Sequence, residues 1–260
     1  MLAGLRKRIQ KNRYSSNPLA KGLTLALRTP RYLWQFATDG YWRSTLLERL
    51  RRPGSVHLTC NYTKMDRYPE IFTLVQGTLR ETLPELADSD DLRLLSFGCS
   101  TGEEAFSLRR YFPRATILGA DISAWNLAKA RERNTDARIR FIESTPETLA
   151  AEAPFHGIFA MAVLLRMAHR MEPADSAFDV YPFERFDEQI LALDELLAPG
   201  GVLTVQHANY RVGDTSIAPR YRVVPFRFSE RDLVPKFDRS SRRLPETDEQ
   251  DRVFVKQRSA

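Results

Sequence analysis

Between residues 67 and 83 the apolar positions Ile71, Phe72, Leu74, Val75 and Leu79 recur close to helical spacing, whereas beyond residue 91 short apolar runs alternate with amphipathic stretches. The first pattern predicts a helix over 67–83. The second predicts strands alternating with helices, as in a parallel βαβ sheet. Residues 92–97 read as a first strand with 103–111 as its helix, 116–120 as a second strand with 124–134 as its helix, and 139–142 as a short third strand. The long apolar run 155–165 fits a central strand, 187–197 a helix stopped by Ala198-Pro199-Gly200-Gly201, and 202–206 a fifth strand. Residues 221–228 and 252–256 read as two more strands separated by a charged turn. The predicted fold class is α/β: a Rossmann-like, mostly parallel sheet with an antiparallel strand at its C-terminus, preceded by a small helical region. The predicted division is 1–57 as a basic N-terminal helical region, 58–90 as a connecting segment that covers the cofactor site, and 91–260 as the Rossmann-like domain.

Composition narrows the class. With 260 residues, 43% of them hydrophobic, the chain can bury a substantial core. It has no apolar run long enough for a membrane span. The two cysteines, Cys60 and Cys99, lie far apart without a secretory signal, which predicts reduced thiols and a cytoplasmic setting. No cysteine or histidine cluster has metal-ligand spacing, so no metal site is expected. Charge is uneven: residues 1–52 hold twelve Lys/Arg against Asp39 and Glu48, a balance of +10 that leaves −4 of the total +6 for the rest. A basic head of this kind points to an anionic partner, or to a solvated face. Residues 30–52, rich in Tyr, Trp, Phe and Leu, read as folded and helical.

The most informative stretch is Leu94-Leu95-Ser96-Phe97-Gly98-Cys99-Ser100-Thr101-Gly102-Glu103-Glu104: a buried strand, a glycine turn, and a helix start with two carboxylates. Such a turn holds a ligand at the carboxyl edge of a parallel sheet. A pyrophosphate needs bare N–H groups at a helix start, and the two glutamates repel it. The spacing is Gly-x-x-x-Gly, so the Gly-x-Gly-x-x-Gly dinucleotide pattern is not met. S-adenosylmethionine, with an ammonium and a sulfonium, fits better than NAD. Asp121, nineteen residues past Gly102, is placed to accept ribose hydroxyls.

The stretch from Gly98 to Leu108 resembles the cofactor loop of the CheR-type chemotaxis receptor methyltransferases, with its Ser-Thr-Gly-Glu-Glu followed by an aromatic and Ser. A second block, from Leu58 through Asn61, Thr63 and Arg67 to Phe72, is similar to that family's Thr-x-Asn-x-Thr-x-x-x-Arg-x-x-x-x-Phe segment. With Ala120-Asp121-Ile122-Ser123, 155–163 and 199–207, the resemblance covers roughly residues 58–210. It implies a class I methyltransferase using S-adenosyl-L-methionine. Carried over by position, Asn61, Thr63 and Arg67 approach the methionine end of the cofactor, with Arg67 on its carboxylate. Glu104 faces the ammonium and Asp121 the ribose, with Ile122 beside it. Gly98, Cys99, Ser100 and Gly102 form the loop, and Ala162 and Val163 lie at the adenine or methionyl edge.

The resemblance breaks on the acceptor side. Where the family has Cys-Arg-Asn-Val at the end of the fourth strand, this chain has Ala160-Met161-Ala162-Val163. The connection 164–186, carrying Arg166, His169, Arg170 and Tyr181, is also longer. This departure implies an acceptor other than a receptor glutamate. His207 and Tyr210, after the fifth strand, are the candidates for catalysis or for orienting the acceptor. The reading is methyl transfer to a carboxylate or amine of a small molecule or protein side chain. The alternatives are a nucleic-acid-modifying methyltransferase docking through its basic N-terminus, or a non-catalytic cofactor-binding module.

Overall fold

In a computed structural model, the chain is described over residues 30, 32–51, 63–166, 177 and 181–258. Asn61, His169, Arg170 and most of the basic head, residues 1–29, lie outside these residues. No helix among the described residues is long and apolar enough to cross a membrane.

One seven-stranded sheet forms the centre, in the order β3-β2-β1-β4-β5-β7-β6. Its strands are β1 (Arg93–Phe97), β2 (Thr116–Asp121), β3 (Ile139–Glu143), β4 (Phe155–Met161), β5 (Leu197–Gln206), β6 (Tyr221–Val223) and β7 (Val253–Lys256). The first five are parallel, while β7 runs antiparallel to both β5 and β6. This is the Rossmann-like methyltransferase arrangement, with the reversal at the C-terminal strands. Chain order reverses between β1 and β4, and the crevice at such a switch point is where open α/β sheets bind ligands.

The helices are α1 (Gly40–Arg51), α2 (Pro69–Thr82), α3 (Glu103–Tyr111), α4 (Ala124–Arg133), α5 (Pro146–Glu152) and α6 (Phe183–Leu196). Alternation along β1 divides the core between two layers. Leu94 packs with Phe72, Val75 and Leu79 of α2 and Leu108 of α3, whereas Leu95 packs with Phe186 and Ile190 of α6. With both faces covered, β1 is buried from Leu94 to Phe97 and apolar there except for Ser96, which is itself fully buried.

Several boundaries differ from expectation. The run 155–165 ends as a strand at Met161, because Ala162 turns to a φ of 56°. Helix α6 starts at Phe183, since Phe183 and Phe186 belong to the core. Strand β5 begins at Leu197, and a register shift opposite Phe155 and Gly157 absorbs Ala198–Gly201. The strand expected over 221–228 stops at Val223, and 229–251 is irregular. Helix α5 was not foreseen. Thr145 caps it in a reciprocal box with Thr148, and Pro146 occupies its first turn.

Helix α1 lies against α4 and reaches the ligand edge of the sheet. Gly40 sits on the Trp125 indole, where a Cβ would come within 2.6 Å of Nε1, and the Tyr41 and Trp125 rings meet edge to face at 5.7 Å. Ser44 Oγ is 3.2 Å from Ser123 Oγ.

Candidate active site

A cavity of about 910 Å³ opens at the carboxyl ends of β1, β2, β4 and β5. Small-molecule sites span roughly 300–1,000 Å³, so it has room for a nucleoside cofactor beside an acceptor. Three residues that follow strands at this edge hold left-handed backbone without being glycine: Ser100 (φ 50°) in the loop after β1, Ala162 (φ 56°) directly after β4 and His207 (φ 54°) directly after β5. Such strain costs about 1–3 kcal/mol per residue and clusters at functional sites.

The loop after β1 is fixed from below, with Gly98 N–H and Cys99 N–H both donating to the Ala120 carbonyl, at 2.8 and 3.0 Å. Gly98 has a φ of 75°, and a Cβ there would strike Val163 Cγ2 at 2.5 Å. Gly98, Cys99, Ser100 and Val163 all line the cavity. Burial pushes the Cys99 thiol up, so it is a packing group rather than a thiolate. Gly102 does not line the cavity. It forms the left-handed entry to α3 at φ 95°, packed on the rings of Phe106 and Phe141.

The two glutamates have separate roles. Glu103 accepts from the Thr101 hydroxyl at 2.7 Å and pairs with Arg133, which commits it outside the cavity. Glu104 lines the cavity and accepts from the Ser96 hydroxyl at 2.7 Å. Burial raises its pKa to about 8, against the lowering effects of Ser96 and Arg67. A buried carboxyl here suits a cationic ligand. Arg67 and Thr63 line the same cavity, the Arg67 guanidinium lying over the Tyr68 ring at 5.0 Å.

At the end of β2, Asp121 accepts from Ser100 N–H (2.8 Å), Ser123 N–H (2.8 Å) and Asn126 Nδ2 (3.2 Å). The last bond turns Asn126 Oδ1 outward, where it is buried without a partner, as is Ser100 Oγ. Both residues line the cavity, as does Ile122. An orphaned acceptor beside a carboxylate is what a ribose diol satisfies. The residues present therefore fit S-adenosylmethionine: an acid for its ammonium, an acceptor pair for its ribose, and the apolar Met161, Ala162 and Val163 at the β4 edge.

On the acceptor side His207 lines the cavity, but Tyr210 does not. Tyr210 is buried in the core among Phe183, Phe186 and Phe237, with its hydroxyl donating to the Tyr181 carbonyl at 2.5 Å. Its expected role at the acceptor is corrected to packing. Residues not anticipated from sequence also reach the site: Tyr41, Thr45 and Glu48 from α1, and Tyr68 ahead of α2. Asp232, hydrogen-bonded behind His207, comes from the irregular segment before β7.

The fold is that of a Rossmann-like methyltransferase domain, and the residues lining the cavity fit S-adenosylmethionine. Residues 94–180 match the family described as "Methyltransferase domain". The probable biofilm formation methyltransferase WspC of Pseudomonas putida is 32% identical over 168 residues, covering 54% of this chain and 39% of that protein. A trans-aconitate 2-methyltransferase of Deinococcus radiodurans is 28% identical over 154 residues, covering 56% of this chain and 52% of that protein. The chain thus spans about half or less of the length of these relatives. Among solved structures, the plantazolicin methyltransferase BpumL in complex with SAH aligns with a TM-score of 0.39 at 15% identity, covering 69% of this chain and 58% of that chain.

Proposed function

We propose that this chain is an S-adenosylmethionine-dependent methyltransferase, CheR-like in its cofactor half, that methylates a carboxylate or amine of a small molecule or protein side chain. The observation that carries the reading is a pair of groups facing one cavity: the buried Glu104 carboxyl, held by Ser96, and the orphaned Asn126 Oδ1 beside Asp121. Bound there, the cofactor supplies an electrophilic methyl group. Methyl transfer is an in-line displacement, so positioning carries most of the catalysis. Glu104 and Arg67 orient the amino-acid end, Asp121 and Asn126 the ribose, and Ala162 and Val163 keep water from the edge of β4. The apolar end of β4 separates this chain from the chemotaxis receptor family on the acceptor side.

Calorimetry with S-adenosylmethionine and S-adenosylhomocysteine tests the proposal. Arg67→Ala and Glu104→Gln are each expected to weaken binding about tenfold or more, the equivalent of about 1.4 kcal/mol. Unchanged affinity in both variants removes this assignment of the site.

A further inference from the structure

His207 is held from behind by a buried ion pair. Its N–H donates to Asp232 Oδ2 at 3.2 Å, and its Nδ1 lies 3.0 Å from Asp232 Oδ1. Val234 N–H also donates to Oδ1 at 3.2 Å, and Lys236 Nζ donates to Oδ2 at 3.0 Å and to the Ala208 carbonyl at 2.6 Å. Asp232 is 1% exposed and Lys236 3%. Burial alone would raise the Asp232 pKa, but His207 and Lys236 outweigh it and hold the carboxyl at about 2. Asp232 is therefore an acceptor only, so the hydrogen of the His207–Asp232 bond sits on Nδ1. The lone pair of the neutral imidazole is then on Nε2.

Around the imidazole, Nε2 is met only by long contacts. The Gln206 amide nitrogen is 3.3 Å from Nε2 and 3.5 Å from Nδ1; with the hydrogen on Nδ1 it donates to Nε2, a long bond that an acceptor's own hydrogen displaces. Glu230 Oε1 is 3.7 Å from Nε2, on a half-exposed side chain. From the segment before α2, the Tyr68 ring lies 5.9 Å from the imidazole, with the Arg67 guanidinium 5.0 Å from the same ring. Tyr68 is buried and lines the cavity, and its hydroxyl has no hydrogen-bond partner. Burial raises the phenol pKa further, so it stays a neutral donor.

A carboxylate acceptor is already a nucleophile and has no use for this arrangement. Resting on the reading of the cavity as a methyl-transfer site, we infer that Nε2 of His207 is the base of the reaction and that the acceptor is an amine or hydroxyl, a group that must lose a proton. The acceptor heteroatom forms a bond to the methyl carbon as the carbon–sulfur bond breaks, and that bond's electron pair stays on sulfur as a neutral thioether. The acceptor's proton passes to Nε2 and leaves to solvent past Glu230. Asp232 is a positioning residue that keeps the hydrogen on Nδ1. The Tyr68 hydroxyl is the donor that orients the acceptor.

Two readouts test this on the full chain. In ¹⁵N NMR with S-adenosylhomocysteine bound, neutral His207 is expected as the Nδ1–H tautomer. Asp232→Asn, which offers a donor to Nδ1, is expected to move that hydrogen to Nε2. A wild-type Nε2–H tautomer overturns the proposal. In the second readout, the protein, tritiated-methyl S-adenosylmethionine and a cell extract give labelled product, which is then treated with alkali. The label is expected to stay bound, as in an N-methyl or ether product, and His207→Gln is expected to lower kcat on the order of 10²-fold while leaving S-adenosylhomocysteine affinity unchanged. Volatile labelled methanol, the mark of a methyl ester, overturns the inference. An S-adenosylhomocysteine affinity too weak to detect contradicts the cofactor assignment instead, so the two failures are distinguishable.

Discussion

Ser96 and Glu104 are joined across the cofactor turn: the hydroxyl from the buried face of β1 donates to the carboxyl in the first turn of α3 at 2.7 Å. The bond aims the glutamate into the cavity and leaves its other oxygen for a ligand.

Because burial raises the Glu104 pKa to about 8, the ligand-free protein holds it neutral below that pH. A bound ammonium favours the ionised form, so binding releases a proton at pH 6–7 and none well above pH 8. Affinity for S-adenosylhomocysteine is therefore expected to rise up to about tenfold per pH unit between pH 6 and 8 and then to level off. Glu104→Gln is expected to bind weakly with a flat profile. Calorimetry in buffers of different ionisation enthalpy counts the proton directly.

The raised pKa also makes Glu104 costly to the empty fold at neutral pH. An acid whose folded pKa exceeds its unfolded value loses stability as pH rises through that interval. Glu104→Gln is expected to raise the Tm of the ligand-free protein by a few degrees at pH 8 and to leave it nearly unchanged at pH 4. Thermal melts at the two pH values check the sign.

Gly98→Ala places a methyl group against Val163 at a φ of 75°. The expected loss is about 1–3 kcal/mol from backbone strain alone. Adding Val163→Ala is expected to recover only part of it, because the dihedral angle is unchanged. Denaturant titration of the single and double variants measures the difference.

Tyr210→Phe removes a buried hydroxyl that bonds the Tyr181 carbonyl and lies 3.0 Å from Ser241 Oγ. It is expected to cost about 1–3 kcal/mol and to leave S-adenosylhomocysteine affinity unchanged. A normal melt with impaired binding would return Tyr210 to the site.

Asp194, 2% exposed, gathers Lys256 Nζ at 3.0 Å and the Tyr221 hydroxyl at 2.8 Å, tying α6 to β7 and β6. Burial opposes the ionised form, but these partners prevail and lower its pKa. Its contribution is present above the ordinary carboxylate range and fades as pH falls through it. Asp194→Asn is expected to lower Tm at pH 7 and to narrow the gap from wild type at the acid end, in melts across pH 3–7.

The elements legible in the sequence are those whose signals are local. Helix α3 runs from Glu103 to Tyr111 as expected, because Gly102 supplies a left-handed entry and Arg109 and Arg110 suit its last turn. Glu104, Asp121 and His207 could be placed because each ends or begins a recognisable element. Helix α5 escaped although Thr145-Pro146 is a start signal, since it spans only seven residues, with Leu149 alone buried. Asp232 and Lys236 escaped for another reason. They sit in an irregular segment more than twenty residues beyond His207, and only the antiparallel return of β7 beside β5 brings that segment back to the site. Tyr210 was misassigned because position after a strand does not reveal direction, and its ring turns into the core.

The most direct measurement is a crystal structure of the full chain with S-adenosylhomocysteine. The amino group is expected on Glu104, the ribose hydroxyls on Asp121 and Asn126, and the sulfur turned toward His207. A nucleoside seated elsewhere, or NAD occupying this cavity in a parallel soak, would contradict this placement.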